Sequence, residues 1–200
     1  MNKTIVAIVI AIIAILAVVF GFKNYGVSDE KGDIISIQGR DFLLSEHDDI
    51  RIAFRYPIEN PEYIILEADD ELSEKTLVLM RKTDYDDFIE SGDIPREGPP
   101  VITISAFTRD GSESALGWAE RNDMVSNYGL RQGLLEDVEI GGETGIGYAT
   151  DGLYAGRTSV VVSGPFAYLF TVGYLSFDDG FLTDFEDVLK TVSFQENSAL

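Results

Sequence analysis

The chain begins with one long apolar run and continues with alternating apolar and polar positions. Residues 4–22 hold 19 positions without a charge. As a helix rising about 1.5 Å per residue, that run spans nearly the roughly 30 Å hydrocarbon core of a bilayer. It lacks the polar stripe at a period near 3.6 that a helix of a soluble core shows. The pattern therefore predicts a transmembrane helix.

The charges around this run predict its orientation. Lys3 and the α-amino group precede it and Lys23 follows it, so we expect residues 1–3 in the cytoplasm and the rest of the chain outside it. The alternative is a cleaved signal peptide, whose apolar region is usually shorter and ends at small residues three apart. Val19-Phe20-Gly21 is a poor cleavage site, which favours a retained single-pass anchor in the cell membrane.

After a polar linker at residues 23–33, the pattern is mainly that of strands. Residues 50–56, 75–81 and 101–107 alternate between two faces, as half-buried strands do. Residues 146–162 predict a hairpin around a two-residue Asp151-Gly152 turn. After a turn at residues 163–165, residues 166–174 are apolar on nearly both faces, which predicts a central strand covered on both sides.

Helical periodicity appears in three places. Residues 112–128 and 83–90 predict two helices, the first with capping residues at its start. The clearest stripe is that of Phe181, Phe185, Val188, Leu189 and Val192, and we expect Asp184, Glu186, Asp187 and Lys190 to lie outside it. Together these elements predict an α+β fold, a central antiparallel sheet sandwiched between helices, over residues 34–195 with a tail at residues 196–200.

Three stretches of sequence resemble one known family in their order. They are Phe54-Arg55-Tyr56-Pro57, residues 101–104 followed by residues 114–119, and the ending from residue 145 to Phe194. This layout is similar to the family of the photosystem II extrinsic protein PsbP. The resemblance implies a central antiparallel sheet between helices and a binding or assembly-stabilising role without catalysis. It assigns no site residue, and the retained anchor departs from the soluble plant members.

Composition excludes several classes of function. The chain has 35 acidic and 15 basic residues, a net charge of −20, which argues against nucleic-acid binding because that requires basic patches. Without cysteine there is no disulfide, thiolate metal site or lipid-modified N-terminal cysteine, and one histidine excludes a multi-histidine site within one chain. We therefore expect no cofactor and no nucleic-acid partner.

Two kinds of residue in the sequence are candidates for a catalytic or metal-binding site. His47, as the single imidazole, is the obligatory base of any Ser-His-Asp hydrolase, but no G-x-S-x-G motif accompanies it. We interpret it as a solvated histidine in an acidic loop, whose change to alanine has little effect.

Acidic clusters are candidate sites for Ca²⁺, which prefers oxygen ligands. They lie at residues 69–71, at 178–179 and, as the candidate metal ligands, at Asp84, Asp86, Asp87 and Glu90. The last set departs from an EF-hand loop, because Phe88 and Ile89 stand where that loop needs a ligand and a glycine. Solvated surface charge is the alternative interpretation.

Glycines and aromatic residues in the C-terminal half have structural explanations. The glycine-rich residues 141–147 lack the lysine of a phosphate-binding loop, so they predict turns and close backbone approaches. The aromatic residues predict core packing rather than a ligand pocket; they are Tyr148, Tyr154, Phe166, Tyr168, Phe170 and Tyr174.

The sequence thus favours a membrane-anchored, extracytoplasmic domain that is not an enzyme and that binds a protein partner or helps stabilise an assembly in the cell envelope. The alternatives are an envelope glycan hydrolase that uses a carboxylate pair and a module that binds a divalent cation. A deep pocket with converging carboxylates would favour the hydrolase, and a shallow patch of exposed aromatic residues would favour the binding domain.

Overall fold

A computed structural model describes residues 33–68, 72–90, 98–109, 111–152, 154–178 and 180–195. Strands dominate this part of the chain. They are β1 (Ile34–Ile37), β2 (Arg40–His47), β3 (Ile52–Pro57), β4 (Tyr63–Ala68), β5 (Lys75–Arg81), β6 (Ile102–Thr108), β7 (Arg131–Ile140), β8 (Glu143–Asp151), β9 (Ala155–Ser163), β10 (Phe166–Tyr174) and β11 (Ser193–Phe194). The helices are α1 (Lys82–Glu90), α2 (Ala115–Arg121), α3 (Asp123–Ser126), a 3-10 helix (Tyr128–Leu130) and α4 (Phe181–Thr191).

The strands form two antiparallel sheets. The large sheet has the order β4-β5-β6-β10-β9-β8-β7, and the small sheet has the order β1-β2-β3-β11. β10 lies at the middle of the large sheet, paired with β6 on one side and β9 on the other. The expected central strand at residues 166–174 is therefore confirmed at those bounds.

One face of the large sheet packs against the small sheet and α4. The main core contains Leu77, Ile104 and Phe170 from the large sheet and Phe54 from β3. Phe185 of α4 belongs to the same core, and α4 packs on both β3 and β10. Burial of these apolar side chains is the main favourable contribution to the stability of this layer.

The opposite face of the large sheet packs against the shorter helices. Trp118 and Ala119 of α2 contact a cluster that includes Ala167 and Leu169 of β10. A smaller cluster lies beneath α1, where Tyr85 packs against Val78 and Met80 of β5. Alternate residues of β10 thus enter different cores, which explains why its sequence is apolar at nearly every position.

The predicted architecture is confirmed as α+β, with one correction. The expectation of a single sheet sandwiched between helices is wrong, because one of the two covers is itself a sheet of four strands, shared with α4. The strands expected near residues 50–56, 75–81 and 101–107 are found as β3, β5 and β6. The helix expected over residues 112–128 is broken, since Asn122 ends α2 and also precedes α3.

The two predicted turns around β9 have different outcomes. Between β9 and β10, Ser163 pairs with Phe166, so the predicted turn is confirmed with Gly164 and Pro165 as its two central residues. Between β8 and β9, Asp151 itself pairs with Ala155. The predicted two-residue Asp151-Gly152 turn is therefore wrong, because Asp151 belongs to the strand and the connection is longer.

No helix among the described residues is both long and apolar enough to cross a membrane. The predicted transmembrane segment at residues 4–22 lies outside the described residues. So do the predicted linker, except for residue 33, and the predicted tail at residues 196–200. These assignments stay predictions.

The packing of α4 leads to a test of the main core. Phe185 is buried between β3 and β10, so we expect Phe185→Ala to lower the free energy of unfolding by about 3–5 kcal/mol, through lost transfer energy and a cavity. The measurement is urea unfolding followed by circular dichroism. Glu186→Ala, at an exposed position of the same helix, should change it by less than about 0.5 kcal/mol. Equal losses in the two variants would contradict this packing.

Candidate functional site

The first group of interest is a buried carboxylate on α4. Asp184 is only 3% exposed. Its Oδ1 accepts a hydrogen bond from Arg40 Nη2 at 2.7 Å, and its Oδ2 accepts one from the Tyr63 hydroxyl at 2.9 Å. Arg81 Nη2 lies 3.7 Å from the same Oδ2. Since Arg40 is in the small sheet and Tyr63 and Arg81 are in the large sheet, one carboxylate connects α4 to both sheets.

The environment of this carboxylate is apolar as well as charged. The Arg81 guanidinium lies 3.7 Å from the centroid of the Phe181 ring, a cation–π contact. Burial and the neighbouring Asp184 raise the pKa of the Tyr63 hydroxyl, so Tyr63 is a hydrogen-bond donor at neutral pH. The cluster is a buried polar group inside the fold, in which arginine charges compensate the Asp184 carboxylate.

The expectation that Asp184 lies outside the packed stripe of α4 is wrong. Asp184 follows Phe181 by three positions and precedes Val188 by four, so all three share one side of the helix. The pattern of apolar positions alone predicts that a carboxylate on this helix faces solvent. Here two arginines and a tyrosine compensate the charge, so the side chain is buried.

The interpretation of His47 as a solvated loop residue is also wrong. His47 is the last residue of β2, is 8% exposed, and stacks on the Phe54 ring with centroids 5.9 Å apart. Its Nε2 is 2.9 Å from Ser45 Oγ, which lies two residues earlier on the same face of the strand. The acidic residues next to His47 in the sequence suggested a loop, although His47 ends a strand. Because His47 is buried, His47→Ala is no longer expected to have little effect.

Burial dominates the electrostatics of His47. Burial lowers the pKa of the imidazole and the Lys75 ammonium lowers it further, while the carboxylates of Asp49 and Glu67 act in the opposite direction. Lys75 bridges those two acids, with Nζ at 3.0 Å from Asp49 Oδ2 and 2.9 Å from Glu67 Oε1. Ser45 is itself buried, so this serine–histidine pair lies inside the protein, away from any substrate at the surface.

The candidate metal ligands lie on a helix rather than on a loop. Asp84, Asp86, Asp87 and Glu90 all belong to α1, which agrees with the expected helix at residues 83–90. Lys82 Nζ donates to both carboxylate oxygens of Asp86, at 2.7 and 2.6 Å. Within the described ranges, no three acidic or histidine side chains lie close enough together to hold a metal ion. Cation binding at these four residues stays a prediction, and residues 69–71 and 179 are outside the description.

The glycine-rich segment forms the turn between β7 and β8. Ile140 pairs with Glu143, so Gly141 and Gly142 are the two central residues, with φ of +59° and +82°. At Gly145 the backbone oxygen of Val160 lies only 2.1 Å from where a Cβ would stand. A turn and a close backbone approach, as expected, account for these glycines.

The aromatic residues of the C-terminal half are mostly part of the cores. Tyr148, Tyr168, Phe170 and Tyr174 are buried. Tyr148 donates to the Ser126 carbonyl at 2.8 Å and Tyr168 to the Ile50 carbonyl at 2.7 Å. Burial raises the pKa of each of these two hydroxyls to about 12. Core packing therefore explains them, and no chemistry needs to be assigned to them.

A different surface stands out, and it was missed from the sequence. β7 is the end strand of the large sheet, and its residues 131–137 are all exposed. Its start is fixed, because the Arg131 guanidinium lies 4.3 Å from the centroid of the Tyr128 ring. Tyr128 in turn makes an edge contact with the buried Tyr148, with centroids 5.7 Å apart. The start of the strand is therefore linked through Tyr128 to a buried residue.

Three residues then leave the regular ladder, and we call residues 133–135 the β7 bulge. Gln132 pairs with Ala149 and Glu136 with Gly147, so three residues of β7 oppose one of β8. Gly133 permits the detour with φ of +74°. Leu134 is 89% exposed and Leu135 is exposed as well. The bulge holds apolar side chains out in solvent.

Beyond the bulge, β7 is fixed again. Glu136 forms an ion pair with Arg157 of β9, Val138 packs against the main core and Ile140 is buried. The two exposed acids Asp137 and Glu139 alternate with these residues and so lie on the opposite face. The exposed leucines thus project from a strand that is held at both ends.

Comparison with known proteins bears on the fold. No family model matches the chain, and no curated protein matches it. Among solved structures, the solution structure of cyanobacterial PsbP (CyanoP) from Synechocystis sp. PCC 6803 matches with a TM-score of 0.49 and 13% identity, covering 88% of this chain and 99% of that one. The fold is similar to that of PsbP at low sequence identity. The resemblance expected from the sequence is thus found again as a likeness of fold.

A second match is a crystal structure from Bacteroides thetaiotaomicron VPI-5482. It has a TM-score of 0.44 and 18% identity, and covers 80% of this chain. The present chain spans about half of that protein, 50% of its length. At these identities neither match assigns a function to this chain.

The buried carboxylate leads to a second test. Asp184→Ala leaves the Arg40 and Arg81 charges without their shared partner inside the fold, so we expect a loss of about 3 kcal/mol in unfolding free energy. Asp187→Ala is the matched control, because Asp187 meets Arg40 only at 3.7 Å and at a more exposed place; its loss should stay below about 1 kcal/mol. Urea titrations at neutral pH measure both, and a similar loss in the two variants would refute the connecting role of Asp184.

The buried imidazole leads to a prediction of pH dependence. In the unfolded chain His47 takes up a proton near its ordinary pKa of 6.5, whereas burial and Lys75 lower the pKa in the fold. The unfolded state therefore binds more protons, and stability is lost as the pH falls below about 6.5. His47→Gln should flatten the fall in unfolding free energy between about pH 7.5 and 5.5. Identical slopes in wild type and variant would show that His47 does not contribute.

Proposed function

We propose that this chain is a non-catalytic binding domain that recognises a protein partner through the β7 bulge and the strand around it. The observation that carries the proposal is the exposure of Leu134 and Leu135 on a strand whose two ends are fixed. An exposed leucine costs solvation free energy unless a partner covers it, about 2 kcal/mol for a side chain of that size. A contiguous patch of exposed apolar side chains marks an interaction site on a protein surface, and Leu134 and Leu135 are consecutive.

The strand pairing on both sides of the β7 bulge supports the proposal. A side chain that is already held in place loses less conformational entropy on binding than one on a flexible loop. Leu134 projects from residues whose neighbours on both sides are bonded into the large sheet. Two further exposed apolar side chains, Met124 and Leu130, lie on the segment that leads into β7. This part of the chain therefore concentrates exposed apolar residues.

The location of the domain is part of the same proposal. The apolar residues 4–22 support attachment to a cell membrane with the folded part outside the cytoplasm. The net charge of −20 is consistent with a domain held away from an anionic lipid surface. A protein partner in the envelope is the kind of ligand that fits such a position.

Site-specific photo-crosslinking tests the proposed function. A benzophenone amino acid placed at position 134 of the full chain in its native cell should form a covalent adduct with one partner protein. The matched control is position 89 on α1, where Ile89 is 51% exposed at the other end of the large sheet, and it should give no such adduct.

Binding by the purified partner completes this test. Leu134→Asp should weaken the affinity at least about tenfold, as expected for a central interface residue, with the thermal unfolding of the domain unchanged. Ile89→Asp should leave the affinity as it is. An adduct of equal yield at both positions, or equal affinity for both variants, would refute the role of the β7 bulge.

A further inference from the structure

The regular half of β7 forms one edge of the large sheet. Residues 136–140 pair with β8 without interruption, from Glu136 opposite Gly147 to Ile140 opposite Glu143. Among the described residues, β8 is the one strand that neighbours β7. None of the described strands pairs with its other side, and such an edge accepts an added strand through main-chain hydrogen bonds.

The charges along this edge determine which kind of strand can pair with β7. Glu136 lies on the face of the main core and is paired with Arg157. Asp137 and Glu139 are exposed on the opposite face, and within the described part of the chain neither forms an ion pair. An incoming strand therefore meets two adjacent carboxylates whose charge its own side chains can balance.

A second copy of this chain is a poor occupant of the edge. Antiparallel pairing of two such segments about Val138 places Asp137 of each copy directly opposite Glu139 of the other, on the same face. Directly opposed like charges destabilise a strand pair, and two chains of net charge −20 repel each other at longer range. The β7 bulge prevents a longer continuous ladder toward Arg131, because it interrupts the strand.

We propose, as a consequence that rests on the proposed function, that the partner contributes an extended, basic segment that adds to β7 as a strand. Lysine or arginine side chains of that segment lie opposite Asp137 and Glu139. An apolar side chain at its end covers Leu134, which adjoins the regular segment. Backbone pairing supplies affinity, and the two carboxylates with the leucine supply selectivity.

Peptide binding to the full chain tests this inference. The probe is a fluorescent peptide of alternating lysine and valine, as long as residues 136–140 plus one terminal leucine, and binding is followed by anisotropy. Two control peptides are used, one with glutamate in place of lysine and one with the lysine peptide's backbone nitrogens methylated. The lysine peptide should bind at least about tenfold more tightly than either, because one control reverses the charge and the other removes the main-chain donors.

Variants of the chain separate strand addition from general attraction to an acidic protein. Asp137→Lys with Glu139→Lys should abolish the preference for the lysine peptide. Glu46→Lys with Glu59→Lys makes the same change in net charge at exposed positions of the small sheet and its following loop, and should keep the preference. Equal effects of the two pairs would overturn the inference, as would equal binding of the methylated peptide.

Two further outcomes are informative. Self-association of the wild-type chain, lost on Leu134→Asp, would assign the edge to a second copy and overturn the inference. An adduct at position 134 to a partner, without any binding of the lysine peptide, would leave the proposed function standing and refute the basic strand alone.

Discussion

β10 is buried on both faces, and this constraint determines how the rest of the chain is arranged. Its even-numbered residues enter the main core and Ala167 and Leu169 enter the cluster beneath α2. A strand in this position needs an apolar layer on each side, because water cannot be left against either face. The small sheet with α4 forms one layer and the shorter helices form the other. The buried Asp184 then ties α4 to both sheets through oriented hydrogen bonds.

The elements that follow a strong apolar period could be predicted from the sequence. β10 and α4 were predicted at or near their bounds, because their residues pack against neighbours along their whole length. β7 was missed for the opposite reason. Its sequence, RQGLLEDVEI, alternates nowhere for long, because the bulge shifts the faces and one side of the strand meets solvent. A strand of this kind is specified by its pairing with β8 and by the Gly141-Gly142 turn, which are tertiary and local features rather than periodicity.

The burial of two polar residues could not be predicted from the sequence, for a related reason. Asp184 and His47 are of residue types usually exposed, and their burial depends on partners distant in the sequence. Arg40 lies 144 positions from Asp184, and the ring that stacks on His47 belongs to the next strand. A pattern along the chain cannot show such compensation. The spacing of Asp184 from Phe181 and Val188 was the available signal, and it indicated a side of the helix rather than a partner.

The small sheet is closed by the last described strand of the chain. β11 pairs with β3, Ser193 opposite Ala53 and Phe194 opposite Ile52, and the Phe194 ring packs on Tyr168 with centroids 4.6 Å apart. The segment that covers the first strands is thus synthesised well over a hundred residues after them. Until it emerges from the ribosome, the apolar side chains of β3 have neither α4 nor β11 against them. Contacts of such long sequence separation slow folding, so the nascent chain passes through a period in which its N-terminal strands depend on other protection from aggregation.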